Sequence, residues 1–336
     1  MGCNMQKEVS YVIAGTYLPK VEAASKQVES ASGASKVLSL SSGSSASGNT
    51  VIEFFNNIKL FSMLFSKNRI INYFSNLGDI NHFKLFALKR CKVILTSLFG
   101  TCNRDELNKD TFNSVDKIIV ESEKDLSLLK TLNIDNNKIH LIYPGIDLNH
   151  YKNISNPQGK FKILFASSPF NPDFFETRGI NFLLNNIKNV PNVEFIFVWR
   201  KELYNLLVEK VQELNIKNIT IINQDIEDMS KVYNSVNAVI VPYASLNYNK
   251  PCPYSILESL ACERPVIVSE FVGISDLITK EDCGVVFKLN TSSFVVAINN
   301  LITSYSKYKN NSRKTAIKYF DIGNMLKEYK KVYEAL

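Results

Sequence analysis

Residues 250–262 run Lys-Pro-Cys-Pro-Tyr-Ser-Ile-Leu-Glu-Ser-Leu-Ala-Cys and lead into Arg264-Pro265-Val266-Ile267-Val268-Ser269. The segment reads as a loop, a short helix and a strand. Pro253 and Ser255 suit a helix start, and Glu258 falls in the first turn. A helix N-terminus presents N–H groups that have no partner within the helix, together with a partial positive charge. It therefore receives an anion such as a diphosphate. A carboxylate close by can hold the hydroxyls of a sugar or a ribose. The same four residues, Ser255 to Glu258, also form a capping box, in which Glu258 only satisfies backbone N–H groups.

Other residues with chemical potential are scattered. Arg200 ends a strand in Trp199-Arg200-Lys201 and is either an anion contact or a loop-surface charge. Gly15 closes the first strand, where a glycine lets backbone approach a ligand; an ordinary turn explains it equally well. The six cysteines contain no Cys-x-x-Cys pair, and the three histidines have no zinc spacing. No Asp-x-Asp motif is present, Asp225 and Asp228 being too far apart. The expectation is metal-independent chemistry without a cofactor. The cysteines read as buried thiols in a reducing compartment.

The elements that position these residues alternate. In the first half, strands are expected at 10–15, 36–40, 70–74, 92–97, 117–121 and 139–143. Helices are expected at 21–32, 54–65, 82–90 and 123–132, with Ser122 as a cap, and a loop of small residues at 41–48. In the second half, strands fall at 162–166, 193–198, 219–223, 238–242, 266–269 and 284–287, with helices near 178–187, 202–214, 228–235, 254–262 and 272–279 and a helical end at 293–335. This alternation is the mark of α/β domains built on parallel sheets. The chain has 336 residues, enough for two such domains, joined near 144–160.

Hydrophobic residues make up 45% of the chain and charged residues 21%, an ordinary globular composition. No apolar run approaches the roughly 18 residues of a membrane helix, and Met1–Glu8 lacks a signal-peptide core. Met1-Gly2-Cys3 is followed by Gln6 where a myristoylation motif wants Ser or Thr. The net charge of +7 is uneven: residues 51–104 hold eight basic residues against Glu53 and Asp79, with eight Phe and Tyr73. Such a stretch suits an anionic membrane face, or is a solvated charged face over an aromatic core. It carries no nucleic-acid-binding signature.

Five segments, in order, resemble retaining family-4 glycosyltransferases (glycosyl transferases group 1). They are Asp116–Glu123 with Lys138–Asp147; Ile163–Ala166 followed by Arg178-Gly179; Ala238–Pro242; the 250–269 segment; and Val272-Gly273-Ile274 with Cys283–Val286. The resemblance spans about 115–290. It implies a GT-B fold, two Rossmann-like domains facing a cleft: an N-terminal acceptor domain at 1–145, a nucleotide-sugar donor domain at 146–320, and a C-terminal helix at 321–336 that can cross back. It also implies retaining transfer of a sugar from a nucleotide-sugar to a cell-surface glycan or lipid-linked acceptor. The expected location is the cytoplasm, peripheral to the inner membrane face.

By the same resemblance Glu258 holds the nucleotide ribose, and Ser255, Pro253 and the first helical turn receive phosphate. Arg178, with Gly179, neutralises the departing diphosphate. Three positions depart from the family. Lys250 stands eight residues before Glu258, where the family has a glutamate on the donor sugar; a reversed charge there points to a phosphate or an acidic sugar. Ser167-Ser168-Pro169 replaces the usual Gly-Arg. Leu98 and Phe99 stand where many members carry a histidine near the reacting centre, with His82 as a substitute. A GT-B protein that binds without catalysing is the alternative these departures favour.

Overall fold

The computed structural model describes residues 8–18, 23–33, 35–41, 50–77, 86–100, 107, 109–247 and 249–336. His82, the 82–85 part of the expected 82–90 helix and the 42–48 part of the small-residue loop lie outside them. The chain divides into two compact units, residues 1–145 with 323–336, and residues 146–322.

The first unit holds β1 (Glu8–Ile13), β2 (Val37–Ser39), β3 (Arg69–Ser75), β4 (Lys92–Ser97), β5 (Lys117–Val120) and β6 (Ile139–Leu141). All pair in parallel, in the order β2-β1-β3-β4-β5-β6. β3 and β4 lie mid-sheet and are buried almost along their whole length. They are accordingly rich in β-branched and aromatic residues without polar alternation. Ser122 caps the helix Glu123–Thr131, its hydroxyl accepting from the Asp125 N–H at 3.1 Å.

The last helix, Ile322–Glu334, belongs to this unit from Gly323 onward. Met325, Tyr329 and Val332 are spaced as one helical stripe, and all three are buried. Beside them, the Asn72 amide of β3 donates to the Tyr333 hydroxyl at 3.0 Å, and the Thr96 hydroxyl of β4 donates to the Asn72 carbonyl oxygen at 2.6 Å. Burial pushes the Tyr329 and Tyr333 hydroxyls well above the usual tyrosine range, so both stay protonated and able to donate.

The second unit holds β7 (Phe161–Ala166), β8 (Val193–Trp199), β9 (Ile219–Asn223), β10 (Ala238–Val241), β11 (Val266–Ser269) and β12 (Gly284–Phe287). The order is β12-β11-β10-β7-β8-β9, again all parallel. From β7 the chain winds outward through β8 to β9, then returns to β10 and winds the other way. The order therefore reverses between β7 and β10, and ligands of such sheets bind outside the carboxyl ends of the strands at that point. Ile163, Phe165, Phe195, Phe197 and Trp199 pack with Leu183, Leu184, Phe294 and Ile298 into one buried cluster. Each large apolar side chain so buried contributes roughly 1.5–3 kcal/mol. The expected helical end resolves into Thr291–Thr303, Tyr305–Tyr319 and the last helix.

Candidate functional site

β7 ends at Ala166 and is followed by Ser167 and Ser168; β10 ends at Val241 and is followed by Pro242 and Tyr243. These two strand ends flank the reversal point, and Arg178 reaches both. Its Nη1 donates to the Ser167 Oγ at 3.0 Å, and its guanidinium lies 5.1 Å from the centre of the Phe174 ring. Burial pushes the Tyr243 hydroxyl up to about 12, and the Arg178 charge pulls the other way, so the guanidinium acts on the β10 side as well. Arg178 caps the end of the short helix Phe174–Thr177. A rigid planar cation with several donors, held at the reversal point, is suited to a phosphate.

Gly179 makes that placement possible. Its φ is +70°, and a Cβ built there would lie 1.7 Å from the Pro242 carbonyl oxygen. The turn after Arg178 is thus pressed directly on the loop after β10. The contact is reinforced by the Thr177 carbonyl, which accepts from the Ala244 N–H at 2.9 Å, the Ser245 N–H at 3.3 Å and the Asn249 amide at 3.0 Å. On the far side of the same loop, a Cβ on Gly273 would lie 2.7 Å from Pro251. Gly179→Ala combines a left-handed backbone with a backbone clash and should lower stability by about 2–4 kcal/mol. Urea unfolding that leaves m unchanged and shifts the midpoint checks this.

The helix Tyr254–Ala261 follows that loop. Its cap is Pro253, with φ −65° and ψ 134° and no side-chain capping bond. Ser255 therefore lies inside the helix, and Glu258 is the fifth helical residue. The capping box and the first-turn position of Glu258 are both overturned. Proline's fixed φ and missing N–H fit it for the helix entry, and the helix starts at Tyr254, where the expected 254–262 range places it. Ser255 is the one residue of this helix that is not buried.

Glu258 is 4% exposed, and both its oxygens are engaged. Oε1 accepts from the Tyr151 hydroxyl at 2.9 Å and Oε2 from the Tyr233 hydroxyl at 2.7 Å. Burial, and then the Glu258 charge, raise both tyrosines well above their usual range, so both stay protonated donors. Arg313 fixes this arrangement. It donates to the carbonyls of Leu148, Tyr151 and Ala261 at 2.9, 2.6 and 2.7 Å, tying the 148–151 segment to the C-terminus of the helix. Sequence reasoning missed Tyr151, Tyr233, Arg313 and Asn249. Tyr151 and Tyr233 lie 107 and 25 residues from Glu258, and no local spacing links either to it.

Lys250 is also 4% exposed, its ammonium 6.0 Å from the centre of the Tyr254 ring. It lies in the loop after β10, so Lys250, Pro253, Ser255, Arg178, Gly179 and Ser167 all belong to segments bordering the reversal point. Arg200 sits one strand further out, at the end of β8, its backbone N–H donating to the Ser168 Oγ at 2.9 Å. The turn that follows is strained: Lys201 and Leu203 have φ of +42° and +55°. Left-handed non-glycine residues cost about 1–3 kcal/mol each and gather at functional sites. Gly15 is in the other unit, after β1. A Cβ there would meet nothing within 4 Å, and its φ is not left-handed, so no packing within the described residues requires a glycine. Among the described residues no three His, Cys, Asp or Glu side chains cluster as metal ligands, and no helix is long and apolar enough to cross a membrane. Cys91, Cys252, Cys262 and Cys283 are buried and form no disulfide among the described residues.

Residues 160–304 match the glycosyl transferases group 1 family model. That range contains β7 to β12 and every candidate residue except His82 and Gly15. Solved structures agree on the fold over the whole chain. A glycosyltransferase from Rickettsia africae is 16% identical, covering 98% of each chain with a TM-score of 0.71. The Anabaena HepE protein in complex with UDP and glucose is 13% identical, covering 98% of this chain and 100% of its own, with a TM-score of 0.73. A sucrose-phosphate synthase from Thermosynechococcus elongatus is 14% identical, covering 98% and 99%, with a TM-score of 0.74. No curated protein matches in sequence. The two parallel six-stranded α/β sheets are those of GT-B glycosyltransferases.

Proposed function

We propose that the protein transfers a sugar from a nucleotide-sugar donor to a glycan or lipid-linked acceptor at the cytoplasmic membrane face, with retention of configuration and without a metal ion. The observation that carries the donor side is Arg178, bonded to Ser167 at the β7/β10 reversal point. In this reading the diphosphate lies against the tip of the helix that starts at Tyr254, near Ser255. The fixed guanidinium and the helix N-terminus stabilise the charge that builds on the leaving group. Arg200 and Lys250 supply further positive charge around the donor. Glu258 orients the ribose, either directly or through Tyr151 and Tyr233. The match over 160–304 and the UDP and glucose in the HepE structure support this assignment.

Two observations favour a second reading, a GT-B scaffold that binds without catalysing. Lys250 stands where the resembled family has an acid, and Glu258 has tyrosine hydroxyls on both oxygens. Thermal unfolding with UDP, GDP and ADP tests donor binding. A nucleotide at a hundred times its Kd should stabilise the chain by about 2.7 kcal/mol. Indifference to all three nucleotides would remove the donor site. Stabilisation without hydrolysis or transfer from any nucleotide-sugar would favour the scaffold.

A further inference from the structure

The helix Thr50–Leu64 has two apolar faces. Leu60, Met63 and Leu64 face inward and are buried in the core of the first unit. Val51, Phe54, Phe55, Ile58, Phe61 and Phe65 recur at the spacing of a single helical stripe and face solvent. Phe54 and Phe55 are 62% and 63% exposed, and Phe61 is 44% exposed. The sequence allowed these aromatics to be a core beneath a charged face; instead they form the surface. Backbone bonds extend the patch: the N–H groups of Arg90 and Cys91 donate to the Leu64 carbonyl at 2.7 and 3.1 Å, bringing Leu88, itself 63% exposed, to the end of the helix.

The border of this stripe is basic. Lys59, Lys67 and Arg90 are exposed. The helix has one carboxylate, Glu53, which is half-buried and accepts from the Ser41 hydroxyl at 3.3 Å. Contiguous apolar surface of this kind marks a docking site rather than ordinary exposure. A second copy of the chain would bring two basic rims together, which costs energy. An anionic lipid surface instead accepts both parts. Phenylalanine rings enter the boundary between headgroups and acyl chains while lysine and arginine stay at the phosphates.

We infer that the Thr50–Leu64 helix lies in the plane of an anionic bilayer, inserting its Val51–Phe65 stripe with Lys59, Lys67 and Arg90 at the headgroups. This deepens the acceptor side of the proposed function and takes its purpose from that reading, since a lipid-linked acceptor is presented at such a surface. The dominant force is apolar insertion. Attraction between charges adds to it, so salt should weaken binding without abolishing it.

The test uses the full chain, without sugar or nucleotide, sedimented with vesicles of phosphatidylcholine alone or mixed with phosphatidylglycerol. The wild type should bind the mixed vesicles, and retain part of that binding at 1 M salt. The Phe54→Ser/Phe55→Ser/Phe61→Ser variant should lose at least tenfold in affinity at every salt concentration. Lys59→Gln/Lys67→Gln/Arg90→Gln should lose several-fold on mixed vesicles only. All six positions are exposed, and unchanged circular dichroism will verify folding. An environment-sensitive fluorophore on Ile58→Cys should shift to the blue on binding. Absence of wild-type binding, wild-type behaviour of the phenylalanine variant, or a solution dimer that this variant breaks would each overturn the inference. Failure here leaves UDP stabilisation untouched, so the donor reading is judged separately.

Discussion

Arg178→Ala should lower kcat by about a hundredfold to a thousandfold while changing donor KM far less, the loss typical when one preorganised charge partner of a transition state is removed. Charge on the diphosphate increases as the glycosidic bond lengthens, so a cation held at the reversal point is worth more in the transition state than in the bound ground state. Arg178→Lys keeps the charge but loses the planar fork that donates to Ser167 and has further donors for a phosphate, and should recover only part of the rate. Steady-state kinetics on both variants, with UDP-induced stabilisation as a control, measures the effect. A purely structural arginine, stacked on Phe174, would lower the unfolding midpoint and leave kcat alone. That outcome would remove Arg178 from the chemistry.

Glu258→Ala should affect both stability and donor recognition. Two buried tyrosine hydroxyls now donate to one carboxylate. Removing the acceptor leaves both without a partner and should cost about 3 kcal/mol, within the range for breaking a buried charged contact. For a unit of this size that is about 6–12 °C in Tm. Glu258→Gln keeps one acceptor oxygen and an amide that can donate to the second tyrosine, so most of the stability should return. Donor KM separates the roles. If the carboxylate also serves the ribose, Glu258→Gln should raise KM by about tenfold, the value of one charge-assisted hydrogen bond, while unfolding almost as the wild type does. Tyr151→Phe then offers the complementary result, freeing one oxygen at modest cost in stability. A glutamine variant with native KM would leave Glu258 a packing residue, and the ribose would need another partner.

What the sequence made legible follows from the range of each signal. The parallel alternation of 160–290 was readable because each strand is a short β-branched run and each helix has its own periodicity. Arg178, Gly179 and Ser167 came into view through the family resemblance, and Pro253 and Ser255 through the helix start; the structure places all five in segments bordering the β7/β10 reversal. The helix over 254–262 was readable, with Pro253 at its entry, but the capping-box alternative fails because Pro253 and not Ser255 is the cap, which leaves Glu258 beyond the first turn. The surroundings of Glu258 were out of reach, since Tyr151, Tyr233 and Arg313 arrive from three separate elements. The need for glycine at 179 appears only once Pro242 is against it. Lys201 and Leu203 gave no warning of their left-handed backbones, because nothing in a bulky residue's identity signals a conformation it normally avoids. The exposed phenylalanines of 54–65 reversed the ordinary expectation that aromatic residues lie inside.

The residues of the Ile322–Glu334 helix that cover Asn72 and Thr96 are synthesised after the whole of residues 146–322. On the ribosome, residues 146–322 are complete and can close their own core while the sheet begun at Glu8 still lacks its final layer. The usual order, in which the body that begins first matures first, is thereby inverted: the strands of the first unit wait for a helix made after the second. A nick or a premature stop near Tyr329 would strike strands that lie about 230 to 260 residues earlier in the sequence.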